Sequence, residues 1–136
     1  ADGAIRWTFE ANNWLWARPL VSGNVVYVTS ASGTVYALDL ATGAERWRVS
    51  PAPSETRAAP VLVAGSLVIA NNDGVVVGLD PATGAERWRQ TPTGKPALLA
   101  DPLVLDSGVL YTSKSGSLLR VKPAEQGAVE RMFDKK

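Results

Sequence analysis

A chain of 136 residues with 14 basic and 13 acidic side chains carries a net charge of +1, which leaves no electrostatic footprint for nucleic acid or anionic lipid. It contains no Cys and no His, and this removes disulfides, thiolate metal sites, the usual zinc ligands, the common general base and the thiol nucleophile. It has neither a long apolar span nor a signal segment with a basic start and apolar middle, and it does not begin with Met, as expected of a processed or excised segment.

In chain order, residues 4–10 are expected to form a lone outer strand, and Asn12-Asn13-Trp14-Leu15-Trp16-Ala17-Arg18 a connection. Short β-branched runs punctuated by Gly, Pro, Asn or Ser then predict strands at 16–21, 24–30, 34–39 and 44–49. A second group falls at 57–63, 66–71, 75–80 and 85–90, and a third at 98–105, 108–113, 117–122 and 128–133. No segment has a helical period. The second and third strands of each group are almost continuously apolar, as in Val25-Val26-Tyr27-Val28-Thr29. Both faces of each sheet must therefore be covered, and without helices the cover must be another sheet.

The groups are copies of one unit. Leu38, Asp39, Thr42, Gly43 and Trp47 recur 41 residues later as Leu79, Asp80, Thr83, Gly84 and Trp88, and Ala-Thr-Gly-Ala-Glu-Arg-Trp-Arg is identical in both. Pro19, Pro60 and Pro102 open successive apolar runs at steps of 41 and 42, and Gly33, Gly74 and Gly116 keep those steps. Asp2-Gly3-Ala4-Ile5-Arg6-Trp7 reads as the tail of a further unit. The third unit is degenerate, with Gly127-Ala128-Val129-Glu130-Arg131-Met132 lacking the tryptophan, a common property of capping repeats.

A unit of about 40 residues with four strands has the size of one propeller blade. The expected fold is all-β: three four-stranded antiparallel blades plus one leading outer strand, an incomplete ring in a single domain over 1–136. Residues 1–10 would be the outer strand of a preceding blade, with blades at 14–50, 57–90 and 97–134. A sandwich or a β-solenoid is the alternative, but a sandwich would not need the same Trp at the same place in each unit.

Tyr36-Ala-Leu-Asp39-Leu-Ala-Thr-Gly43-Ala-Glu-Arg-Trp47 and Gly78-Leu-Asp80-Pro-Ala-Thr-Gly84-Ala-Glu-Arg-Trp88 resemble the tryptophan-docking motif of the pyrroloquinoline-quinone-type propeller repeat. The resemblance covers two units closely, the third loosely, and residues 3–7 in part. It implies a scaffold found in quinoprotein dehydrogenases, in the propeller lipoprotein of the outer-membrane barrel-assembly machinery and in sensor ectodomains of bacterial kinases. By resemblance the location is extracytoplasmic or periplasmic.

Physically the motif is structural. Asp39 and Asp80 are turn residues whose carboxylates accept from nearby N–H groups, and Gly43 and Gly84 supply positive φ. Trp7, Trp47 and Trp88 are expected to wedge against the neighbouring blade, each N–H finding one acceptor. Asn71-Asn72-Asp73-Gly74 has the flavour of a calcium loop, but position 82, twelve from its start, is Ala where the liganding Glu would stand. An ordinary hairpin turn is expected there instead. Glu45-Arg46 and Glu86-Arg87 read as solvated outer-strand charges.

Neither catalysis nor a cofactor or metal is expected, because no acidic-amide cluster, vicinal cysteine pair or nucleophile elbow is present. The segment around Trp14, Trp16 and Arg18 has the composition of an interaction hot spot and falls on the face that holds the connections between blades. Arg18, Ala59 and Asp101, each just before a register proline, should point toward the axis. The plainer alternative is that Trp14 or Trp16 plugs the channel or packs on a neighbouring blade. The expected role is a non-catalytic binding module for a protein partner, with a quinoprotein-dehydrogenase remnant or a ligand-sensing ectodomain as alternatives. Three blades cannot close a ring, so self-association into six blades, or blades on another chain, is expected.

Overall fold

The computed structural model describes residues 4–52, 54–91, 97–98, 101–105, 108–114 and 116–122, and the backbone of Ala128–Phe133. Twelve strands and no helix occur among them. The first sheet consists of β1 (Leu20–Ser22), β2 (Val25–Thr29), β3 (Val35–Asp39) and β4 (Glu45–Val49). The second holds β5 (Val61–Val63), β6 (Ser66–Ala70), β7 (Val76–Leu79) and β8 (Glu86–Gln90). The third holds β9 (Leu103–Leu105), β10 (Gly108–Thr112), β11 (Leu118–Lys122) and β12 (Ala128–Phe133). Each is a four-stranded antiparallel meander in sequence order, and the three do not close on one another.

Alternation along each strand decides which neighbour a side chain meets. Tyr27, Val35 and Ala37 of the first sheet join Leu67, Ile69, Val77 and Leu79 of the second in one buried cluster. Val68, Ala70 and Val76 point the other way and join Val109, Tyr111, Leu119 and Val121 of the third. A sheet buried on both faces needs consecutive apolar residues, and for that reason β6 reads Ser-Leu-Val-Ile-Ala and is buried throughout. The remaining face of the first sheet carries Val26, Val28, Tyr36 and Leu38, covered in part by Trp7, Phe9 and Ala11.

Two expectations about elements are corrected. Residues 4–10 are not a strand: Trp7, Phe9 and Ala11 pack on the first sheet, but no strand among the described residues pairs with this segment in a ladder. The innermost strands, expected to begin at 16, 57 and 98, are three residues long and start only after Pro19, Pro60 and Pro102. Proline has no N–H to give the ladder, and the residues before it are held by other bonds described below. Gly3 and 123–127 lie outside the described residues.

In the first two sheets the β3–β4 and β7–β8 registers shift next to the turn, between Ala37 and Leu38 and between Gly78 and Leu79. These bulges leave Arg46 and Arg87 unpaired in the ladder and set Trp47 opposite Ala37 and Trp88 opposite Gly78. In the third sheet the shift lies at the other end of the ladder, between Leu118 and Leu119, and the corresponding pair is Arg120 opposite Glu130.

Candidate interaction face

The repeated motif lies in the turns that lead to β4 and β8, the edge strands of the first two sheets. Asp39 Oδ1 accepts from the N–H groups of Ala41 at 2.9 Å and Thr42 at 3.1 Å, and Asp80 Oδ1 from that of Ala82 at 2.9 Å. Gly43 and Gly84, at φ +77° and +80°, donate back to the carbonyls of Asp39 and Asp80. Arg46, two strand positions from the turn, binds Asp39 Oδ2 at 3.0 Å, and this guanidinium, followed by the Thr42 N–H, holds the Asp39 carboxyl below its ordinary range. A carboxylate committed to a turn and an arginine has no free base function.

Trp7 Nε1 donates to the Leu40 carbonyl at 2.8 Å, and Trp47 Nε1 to the Pro81 carbonyl at 3.1 Å, one repeat further on. Each indole lies over the glycine of that turn. A Cβ on Gly43 would stand 2.5 Å from the Trp7 ring, and one on Gly84 2.7 Å from the Trp47 ring. The glycines therefore serve the contact as well as the turn, a role that a turn signature does not display. Trp88 packs against the buried cluster of the second and third sheets. Its Nε1 has no partner among the described residues, and the segment that would correspond to Pro81, 123–127, lies outside them.

The connections between sheets are bound by a series of backbone hydrogen bonds, most of which recur with the unit. Ala31 N–H donates to the Trp14 carbonyl at 2.6 Å, Thr56 to Ala31 at 2.9 Å, Asn72 to Glu55 at 2.8 Å and Lys114 to Ala97 at 2.8 Å. Trp14, Glu55 and Ala97 are the same position in successive units. Asn71, at the start of the suspected calcium loop, is buried and accepts from the Asp73 and Val75 N–H groups at 3.0 Å each. Its oxygen is engaged by the turn itself. No cluster of three or more metal-ligating side chains occurs among the described residues.

Within this series the first unit differs from the others. Trp14 is 70% and Trp16 41% exposed, and their rings meet edge to face at 5.8 Å. The Arg57 guanidinium stacks 4.3 Å from the Trp16 ring centre and is paired with Glu55 at 3.6 Å. Nearby, the three residues preceding the register prolines meet. Asp101 Oδ1 accepts from the Ala59 N–H at 3.0 Å, and its Oδ2 lies 3.8 Å from Arg18. One carboxylate thus touches all three units. Asn12 anchors the approach, its N–H donating to Tyr36 Oη at 2.9 Å and its Nδ2 to Thr34 Oγ1 at 3.0 Å.

The structure brings Trp14 against Trp16 and Arg18 toward Asp101, and it places Asp39, Gly43, Asp80 and Gly84 in the turns leading to β4 and β8, with Trp7 and Trp47 seated on those turns and Trp88 on β8 itself. Arg57 and Glu55 were missed by sequence reasoning. The signal was available, since one step of the repeat carries Trp16 to Arg57 and Trp14 to Glu55. Chemically the face offers two exposed indoles and two arginines balanced by two carboxylates, a composition suited to a polypeptide surface.

The sequence model of the family described as outer membrane protein assembly factor BamB matches residues 1–135. The chain belongs to that family. Among solved structures, BamB from Moraxella catarrhalis is similar over 98% of this chain and 40% of its own, with a TM-score of 0.77 and 27% identity. A europium-containing methanol dehydrogenase shares the fold over 94% of this chain and 27% of its own, at a TM-score of 0.77 and 23% identity. The serine/threonine-protein kinase AfsK of Streptomyces griseus is 42% identical over 71 residues, 46% of this chain and 8% of the kinase. This BamB-family chain thus spans less than half the length of each of these relatives. No helix among its described residues is long and apolar enough to cross a membrane.

Proposed function

We propose that this chain is a non-catalytic, protein-binding portion of a BamB-type β-propeller acting in the bacterial cell envelope, and that it binds through the face of Trp14, Trp16, Arg18 and Asp101. The observation that carries this is the pair of exposed indoles on a backbone held by the inter-sheet hydrogen bonds, with Arg57 already stacked beneath one of them. Large aromatic surface presented with little freedom left to lose is what makes an interface hot spot. Family membership agrees, because the family is described by a role in assembling outer membrane proteins.

The test is retention of a protein from an envelope extract of the source bacterium by the immobilised chain, compared with Trp14→Ala, Trp16→Ala and Arg18→Glu. One discrete partner, lost with each variant while urea unfolding is unchanged, is the expected result. Equal retention by all four proteins, or stoichiometric binding of pyrroloquinoline quinone with calcium in calorimetry, would overturn it. A sensor ectodomain is the second reading, favoured by the 71-residue likeness to the kinase AfsK. A kinase domain in the same reading frame would decide for it.

A further inference from the structure

We propose that Trp14 and Trp16 form a cradle for an extended proline-rich segment carrying an acidic side chain, an inference that rests on the protein-binding reading of this face and names the kind of polypeptide it takes. The two rings meet at 67° with centres 5.8 Å apart, and both are exposed. Two apolar walls so inclined make an open corner. A pyrrolidine ring fits such a corner, and aromatic-lined grooves that receive proline-rich chains use the same contact. Both walls are braced before any ligand arrives. The Trp14 carbonyl accepts from the Ala31 N–H and its own N–H donates to Asn13 Oδ1, while Arg57 supports one face of Trp16 at 4.3 Å. A polyproline segment is equally preformed, so little freedom is lost on either side.

Hydrogen-bonding polarity selects the ligand further. The carboxylates at this face are engaged: Asp101 Oδ1 by the Ala59 N–H, Asp101 Oδ2 by Arg18, and Glu55 by Arg57. What is left over donates. Neither indole N–H has an acceptor among the described residues, and the Arg18 side chain is 75% exposed with a single long contact of 3.8 Å.

A surface that donates and hardly accepts matches a chain that accepts and does not donate. Proline is that residue, since it has no N–H, and in the polyproline conformation its carbonyls make no internal hydrogen bonds. Arg18 answers to a carboxylate beside the prolines. A glycan fits worse, because each hydroxyl donates as well as accepts. Strand addition fits worse too, because residues 12–18 form no strand and the Trp14 backbone is already paired both ways.

The test follows the indole N–H resonances by nuclear magnetic resonance while the 136-residue chain is titrated with the peptide Ac-Pro-Pro-Pro-Glu-Pro-Pro-Pro-amide. The signals of Trp14 and Trp16 should shift, and those of Trp7 and Trp47, whose N–H groups are bound to Leu40 and Pro81, should not. Trp14→Ala and Trp16→Ala, with the urea midpoint unchanged, should each weaken binding about tenfold or more. Arg18→Glu should reverse the preference between this peptide and its analogue with Lys in place of Glu. Equal binding of an analogue with Ala in place of every Pro would overturn the inference, as would no shift with any peptide or binding of triacetylchitotriose at the same indoles. A partner retained from the envelope extract yet not displaced by the proline peptide would overturn this inference alone, whereas equal retention by all the variants overturns the reading on which it rests.

Discussion

Two tryptophans a few tens of residues apart carry opposite consequences because one is seated and the other is presented. Trp47 gives its N–H to Pro81 and its ring to Gly84, whereas Trp14 is 70% exposed with only a neighbouring indole and its own backbone for support. Trp47→Ala should lower stability by about 3–5 kcal/mol, as removal of a large packed aromatic does, and Trp14→Ala by less than about 1 kcal/mol. Urea unfolding of the two variants side by side checks this, and equal losses would mean that Trp14 is packed rather than presented. Gly78 belongs with Trp88 in the same way, since a Cβ there would enter the Trp88 ring. Ala37, at that position one unit earlier, coexists with Trp47.

At the scale of elements, β4 and β8 are sheet edges, and their outward residues are charged, a known protection against edge-to-edge pairing. Arg48 binds Glu45 and Arg89 binds Glu86 three residues apart on the same strand, at 2.6 Å and 2.8 Å. The bond from Arg48, chiefly, lowers the Glu45 carboxyl, and Arg89 does the same for Glu86, as Arg46 does for Asp39. A carboxyl whose pKa falls on folding adds stability above its ordinary value, 4.5 for these Glu and 3.8 for Asp, and that stability is lost as pH drops through the lowered folded value. The urea midpoint should therefore hold level from neutral pH down to about pH 5 and then decline. Raised salt should shrink the decline, because these pairs are exposed, and a midpoint that rises on acidification would contradict the assignment.

Much at this scale was legible from the sequence, and the reason is physical. A 41-residue step repeats the whole pattern of turns and apolar runs, so each strand is announced more than once. Where the step breaks, legibility fails. Residues 4–10 carry the right residues for a strand, yet a strand needs a neighbour to bond, and composition does not reveal whether one is there. Arg57 was missed because its partner, Trp16, lies in the preceding unit. Contacts between units show only when the units are laid over one another by the repeat step, which carries Trp16 to Arg57.

For the molecule as a whole, Asp101 is the point where three units meet, with Ala59 on one oxygen and Arg18 near the other. The Arg18 contact is long and exposed, so it belongs among surface pairs worth about 0–1 kcal/mol. Arg18→Ala should leave the urea midpoint nearly unchanged while weakening partner retention. Asp101→Ala should also lower the midpoint, because it removes the acceptor of the part-buried Ala59 N–H. If both variants unfold alike, the carboxylate does not hold the second unit to the third.

The seating of each tryptophan on a later turn also sets the order in which the two partners leave the ribosome. Trp47 finds its acceptor 34 residues later, at Pro81, and Trp7 finds its own 33 residues later, at Leu40. At ribosomal speeds of about 5–20 residues per second, each indole leaves the exit tunnel roughly 2–7 s before its seat does. One unfilled indole thus trails the ribosome while each of these two seats is being made, and a folding helper that recognises exposed tryptophan would meet the same address at Trp7 and again at Trp47.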